Sequence, residues 1–213
     1  MERVLIAIPS VGVSDIRFAV SLGNLAKPRG TALAAVPRSM PDIARNILFD
    51  QAVKNGFGRI FYLDDDMIVD AGLLLALSEF MDSDPSVAAA APLAFRRHPP
   101  FQPCVGMARG DRYEPLSDLD GGPIDVDMIH FAATLVRVEA LQKVPPPRFE
   151  FSASRDGSSV IGEDISLSRK LKPHGRLVCI RNLPEALHIG VPPTVGRREH
   201  DAASRASSRI LIP

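Results

Sequence analysis

Arg59-Ile60-Phe61-Tyr62-Leu63-Asp64-Asp65-Asp66-Met67 is the stretch on which the fold turns. Residues 60–63 are apolar and aromatic with no polar alternation, the pattern of a strand covered on both faces. The run leads directly into three consecutive carboxylates. In extended chain, residues two apart point the same way, so Asp64 and Asp66 share a face. Acids this close raise one another's pKa unless a cation stands between them. A hard divalent ion such as Mn2+ or Mg2+ takes such oxygens and completes its shell with water and phosphate. An acidic turn leading into a helix capped by Asp70 would use the same residues without any metal.

Upstream, residues 4–8 form a second short apolar strand, ended by Pro9 and Ser10. Ser14 is placed to cap a helix bearing Ile16, Val20, Leu22 and Leu25, which stops before Pro28. Ser39 and Pro41 open another helix with Ile43, Ile47 and Leu48 on one side and Gly56 as its stop. Downstream of the acids, a helix over residues 71–81 precedes a strand at 87–91. Strands and helices in this alternation predict an open, mostly parallel α/β sheet. Such sheets bind ligands at the carboxyl ends of their strands. Ser10, the three Asp and the chain from Pro92 onward all fall there, which points to one crevice.

From Arg96 to about Pro123 the chain is rich in Pro, Gly and charge and reads as long loops. Periodicity returns at 128–136, followed by a short helix over 138–144, a break at Pro145-Pro146-Pro147, a helix over Glu163–Leu171 and a strand at 177–180. Residues 191–213 show no core face and read as a tail. No internal repeat is present.

Composition narrows the function. The 213 residues are 46% hydrophobic, with a mean hydropathy of +0.07, enough for one globular domain with a core. Twenty-five basic residues balance 25 acidic ones, and Trp is absent. A nucleic-acid partner, which wants a basic face and stacking aromatics, is not expected. Cys104 and Cys179 sit far apart outside any Cys-x-x-Cys pair, which argues against a disulfide framework or zinc site. The amino-terminal apolar run is too short for a signal peptide or membrane span, so the expected setting is the cytoplasm.

Three further groups carry chemistry. Glu163 and Asp164 open a helix, as simple caps or as groups that accept a proton from a hydroxyl. His188, after the last strand, is a core histidine or an imidazole ligand beside carboxylates. Arg45-Asn46 and Arg96-Arg97 are solvated cations or phosphate forks.

Taken in order, these pieces resemble the GT-A glycosyltransferases, in particular small bacterial and phage-type members of the family-2-like group. The matching stretches are Ile8-Pro9-Ser10, Arg45-Asn46, residues 61–67, 94–101 and 131–137, Gly162-Glu163-Asp164-Ile165 and Leu187-His188-Ile189-Gly190. The resemblance implies a GT-A type α/β fold with helices on both faces of an open twisted sheet. Residues 1–95 would make a Rossmann-like nucleotide-sugar half, and residues 96–190 an acceptor and catalytic half. It implies hexosyl transfer from a nucleotide-diphosphate sugar (UDP- or GDP-linked) to a glycan, lipid-linked or small-molecule hydroxyl. Pro9, Ser10 and Arg45 would line the nucleotide pocket, with Asp64 and Asp65 facing nucleoside and ribose. Asp66 would coordinate Mn2+ or Mg2+, with His188 completing the site and Asp64 near it. Asp164, with Glu163, would stand where inverting members keep the base. Ala132 and Ala133 replace the Gly-x-Gly of many relatives.

Two other readings remain open. A sugar nucleotidyltransferase shares the sheet, but should carry a Gly-rich, Arg-containing loop after the first strand, whereas residues 10–15 hold one Gly and no Arg. A non-catalytic nucleotide- or sugar-binding module would be expected to lose the acids retained here. The residues leave a homo-oligomer and the stereochemical outcome undecided.

Overall fold

The computed structural model describes residues 2–109, 112–154, 157, 159–190 and 194–207. In chain order the first half runs β1 (Val4–Ser10), α1 (Ile16–Asn24), β2 (Ala32–Pro37), α2 (Pro41–Lys54), β3 (Arg59–Leu63), β4 (Met67–Ile68), α3 (Leu73–Ser83) and β5 (Val87–Pro92). The second half runs β6 (Gly106–Arg109), β7 (Arg112–Pro115), β8 (Pro123–Val126), β9 (Ala133–Arg137), α4 (Val138–Gln142), β10 (Ser152–Ala153) and β11 (Val160–Ile161). It ends with α5 (Glu163–Leu171), a 3-10 turn (Lys172–His174), β12 (Arg176–Ile180), β13 (Leu187–Ile189), β14 (Thr194–Val195) and α6 (Arg197–Ser207).

Seven strands make the main sheet, in the order β2-β1-β3-β9-β5-β12-β8. β2, β1 and β3 are parallel, as are β5 and β12. β9 lies antiparallel to both β3 and β5, so those two groups point the same way, while β8 is antiparallel to β12. The sheet is thus mostly parallel and open, as expected, with one inverted strand at its centre.

Strand periodicity sorts the core onto two faces. Leu5, Ala7, Ile60 and Tyr62 pack with Leu48 and Phe49 of α2, Leu141 of α4 and Leu167 of α5. Val4, Ile6, Ile8, Phe61 and Leu63 pack with Phe18 of α1 and Leu73, Leu74, Leu77 and Met81 of α3. Helices therefore cover both faces.

Several local expectations change. Asp15, not Ser14, caps α1, its carboxylate accepting from Arg17 N at 2.8 Å. Ile16 and Val20 are exposed, and α1 instead turns Phe18 and Ser21 inward. In α2, Leu48 is buried but Ile43 and Ile47 face outward, because the face toward the sheet carries Ala44, Arg45, Phe49 and Ala52. Pro41 does open α2, and Gly56 follows it at φ +67, a left-handed position that glycine adopts without strain. α3 starts at Leu73 because Asp70 first forms a turn onto Gly72 N at 2.7 Å. β2 is an addition to the strands expected from the sequence: it lies at the sheet edge and its residues are mostly exposed. The 96–123 region holds the β6–β7 hairpin. A Cβ on Gly106 would sit 2.4 Å from the Glu114 carbonyl oxygen, so the hairpin's close approach needs glycine there. Within the carboxyl-terminal segment, β14 pairs with β13 and buries Val195 completely. No described helix is long and apolar enough to cross a membrane.

Candidate active site

The carboxyl ends of β1, β3 and β5 bring the site together. Ser10 ends β1, and Asp64–Asp66 follow β3 in a turn closed by Met67 N donating to Asp64 O at 3.2 Å. Asp64 N donates to Ala132 O at 2.9 Å on one side. On the other, β4 pairs with β13, and Ile189 N donates to Asp66 O at 2.8 Å. Two separate elements thus hold the acidic turn, which fixes His188 opposite Met67.

Arg45 is the centre of the cluster and only 2% exposed. One of its nitrogens donates to both Asp64 oxygens at 2.9 and 3.0 Å, and the other to Glu163 at 2.5 Å and Asp164 at 3.2 Å. Its guanidinium lies 5.6 Å from the Phe149 ring centroid. Phe149, Phe131 and Tyr62 pack edge to face beneath it, at centroid distances of 5.1 to 6.1 Å. Burial works against the charge of Arg45, but Asp64, Asp164 and Glu163 raise its pKa, so it stays a cation. It therefore faces three acids rather than open space.

The acids outnumber the cation, and their titration follows. Burial pushes the Asp164 carboxyl up to about 7; Arg45 opposes this, while Glu163 and Asp64 add to it. Asp64 is also raised, by burial first, against the pull of Arg45. Glu163 and Asp164 occupy the first turn of α5 behind Gly162, where the helix dipole favours negative charge.

Around this hub the remaining residues fall into pairs. The Ser10 hydroxyl donates to Asp65 at 2.5 Å and accepts from Gly12 N at 2.9 Å. Pro9 is buried within β1 beside Val36. Arg97 reaches Asp66 at 2.9 Å. The Nδ1 of His188 is engaged by the Phe95 carbonyl, which orients the ring and turns Nε2 away from that carbonyl.

No group of three or more His, Cys, Asp or Glu side chains among the described residues is arranged as a ready-made metal site. The donor set still fits a divalent ion in part. Asp66 offers a carboxylate whose partner, Arg97, is 51% exposed, and His188, next to the Ile189 whose N donates to Asp66 O, has an oriented ring. Asp64 has both oxygens committed to Arg45. Two protein ligands leave positions for water and phosphate, as Mg2+-type ions require.

Asn46, which the sequence groups with Arg45, has another task. It donates to Phe149 O at 2.8 Å and accepts from Arg148 N at 3.1 Å, holding the loop after the proline triplet. Two residues went unread. His130 is 3% exposed, bonds Pro92 O through Nε2 at 3.1 Å and has an unpartnered Nδ1. Burial lowers its pKa to about 4, so it is neutral. Its signal was a lone imidazole within the apolar run from Met128. In the sequence Cys104 argues only against a disulfide framework or zinc site; in the structure burial first, and Asp164 second, push its thiol up to about 12.

This fold, a mostly parallel seven-stranded sheet with acids at its carboxyl edge and helices on both faces, is GT-A-like. No protein-family profile matches the sequence, and no curated protein matches it. Protein A197 from STIV superposes with a TM-score of 0.61 at 14% identity, over 88% of this chain and 85% of that one. S. aureus TarS 1-349 in complex with UDP-GlcNAc gives 0.55 at 13% identity, over 87% of this chain and 58% of its own. GalNAc-T7 with UDP, GalNAc and Mn2+ gives 0.55 at 11% identity, over 84% of this chain and 42% of its own. At these identities the likeness establishes the fold.

Proposed function

We propose that the protein is a metal-dependent glycosyltransferase that moves a sugar from a nucleotide-diphosphate sugar to an acceptor hydroxyl. The observation that carries this reading is the Arg45 cluster. It sets a carboxyl with a pKa of about 7, Asp164, beside the acidic turn at the ligand-binding edge of the sheet. A general base works best with a pKa near the working pH. TarS and GalNAc-T7, solved with UDP-GlcNAc and with UDP, GalNAc and Mn2+, support the donor class.

In this reading Asp65 and Ser10 hold the nucleoside, and Asp64 stays rigid on Arg45. Asp66, once released by Arg97, and His188 would hold Mn2+ or Mg2+, which would supply positive charge for the diphosphate leaving group. The acceptor hydroxyl gives its proton to the Asp164 carboxylate, its oxygen bonds the anomeric carbon, and the bond from that carbon to the diphosphate oxygen breaks. Arg45 opposes burial and Glu163, so that the Asp164 carboxyl, raised to about 7, is still available as a carboxylate at neutral pH and above.

The test is a thermal-shift panel of UDP, GDP, CMP and dTDP and of the UDP- and GDP-sugars, each with Mn2+, Mg2+ or EDTA. A ligand of the native state raises its stability with the logarithm of concentration over Kd. A shift for one nucleotide that EDTA erases, and that Asp66→Ala removes, is expected. No shift with any nucleotide in either metal would overturn the proposal. Binding without donor hydrolysis would favour the non-catalytic module, which the Arg97–Asp66 pair also suits.

A further inference from the structure

Helix α6 has no part in the site above, yet it is tied to the fold on several sides. Arg197 N donates to Glu185 at 2.7 Å, and His200 Nδ1 hydrogen-bonds Phe101 O at 2.9 Å. The His200 ring lies 5.3 Å from the ring of Phe95. Opposite α6, the 116–122 loop is tied down as well. Arg181 donates to Gly122 O at 3.0 Å and to the Asp118 carboxylate at 2.7 Å. Arg197 crosses between the two, reaching Asp120 at 2.7 Å and the Leu119 carbonyl. Between helix and loop lies a cavity of about 450 Å3, within the usual size of ligand sites.

Its lining selects a chemistry. Asp118 is held by Arg181 and Asp120 by Arg197, and Asp201 and Arg205 add one charge of each sign, so neither sign prevails. Ser117 and Ser204 add hydroxyls that both donate and accept. A carboxylate in an ion pair keeps lone pairs that can accept from hydroxyls, so a neutral molecule with many hydroxyls suits this charge-balanced lining.

Its position selects a role. β12 ends at Ile180 opposite Pro123, so the 116–122 loop stands at the same carboxyl edge as the candidate site. Phe95 joins the two places: its ring packs on His200 and its carbonyl engages His188. Phe95 also bridges Pro103, and the Phe101 carbonyl meets His200, so the 101–103 segment runs between the cavity and the strand that leads to the His188 side of the candidate site.

We infer that the cavity between α6 and the 116–122 loop is a subsite for a neutral oligosaccharide acceptor, holding a sugar unit remote from the hydroxyl that reacts at Asp164. This rests on the transferase reading, and the test separates the two. The full chain is titrated calorimetrically with gluco-, galacto- and N-acetylglucosamine oligosaccharides, from mono- to tetrasaccharide. In at least one series the wild-type affinity should rise about ten-fold with length, a gain of one decade in Kd. Ser117→Trp and Ser204→Trp stand on facing walls at exposed positions, and each should collapse that rise. Melting curves verify that each variant is folded. Equal length dependence in wild type and both variants, or no saturable binding in any series, overturns the subsite. Release of UDP or GDP from the donor sugars without acceptor is measured in parallel. Saccharide binding with no donor hydrolysis would sink the transferase reading and keep the cavity as a glycan site. Hydrolysis with no length dependence would do the reverse.

Discussion

Two buried arginines mark the two ends of β3, and they are buried for different reasons. Arg59 begins the strand at 1% exposure and donates to Glu2 at 2.9 Å, Asp82 at 2.6 Å and Ser78 O at 3.0 Å. Its acids are 50% and 38% exposed, so water shares in neutralising them. Arg45, past the other end, faces three acids that are 13% to 30% exposed. Both arginines staple chain segments together. Only the second leaves negative charge uncompensated in a shielded place, where burial first, and then Glu163 and Asp64, push Asp164 toward neutrality against the pull of Arg45. Burial alone would rank the two arginines alike; the number of acids around each and their exposure separate them.

The largest effect should fall on chemistry at one end only. Asp164→Asn is expected to cut transfer by about 10²–10⁴-fold, the range for a general base, with EDTA-sensitive nucleotide binding retained. Asp82→Asn, at the Arg59 end, should leave kcat/KM unchanged. Transfer that survives Asp164→Asn would place the base elsewhere.

Stability should separate the arginines next. Removing one partner of a shielded ion pair costs about 3–5 kcal/mol, the expected loss for Arg45→Met by denaturant unfolding at pH 8. Arg59→Met leaves acids that can hydrate, and the cost should be about 1–3 kcal/mol. Equal losses would break the comparison.

The pH dependence of stability is a finer probe. Asp164 has a native pKa of about 7 against an ordinary 3.8. Between those values the native chain holds a proton that the unfolded chain has released. Stability from this group is therefore complete below about pH 4, falls as pH rises toward 7, and is level above it. Melting temperatures from pH 4 to 8 should show that decline in wild type and a flatter profile in Asp164→Asn. Superimposable profiles would mean that Asp164 titrates normally.

Much of this arrangement is legible in the chain and part of it is not. The bounds of β3 and α5 follow from apolar continuity and from the Gly162-Glu163-Asp164 opening, because local pattern decides them. The inward faces of α1 and α2 do not follow. Ile16, Ile43 and Ile47 are apolar yet exposed, and the buried α2 face includes an arginine. That arginine is tolerated inside only because Asp64, Glu163 and Asp164, at least 19 residues away in sequence, converge on it. A partner so distant leaves no local periodic trace, and for the same reason β2 and the α6 cavity escape a linear reading.

The smallest expected effect concerns Arg97, and it bears on whether the Arg45 end is an open or a self-satisfied cluster. Arg97 is 51% exposed, and Asp66, its partner at 2.9 Å, is 29% exposed. An exposed pair of this kind is worth about 0–1 kcal/mol, so displacing it costs an incoming cation a factor of about five at most. Arg97→Ala should then tighten Mn2+-dependent UDP or GDP binding by up to that factor, read as a larger EDTA-sensitive thermal shift at fixed nucleotide. Weaker binding in the variant would mean that Arg97 itself grips the diphosphate, with Asp66 serving to aim it. In that case the cluster is finished by protein cations at both Asp64 and Asp66, and EDTA should cease to matter.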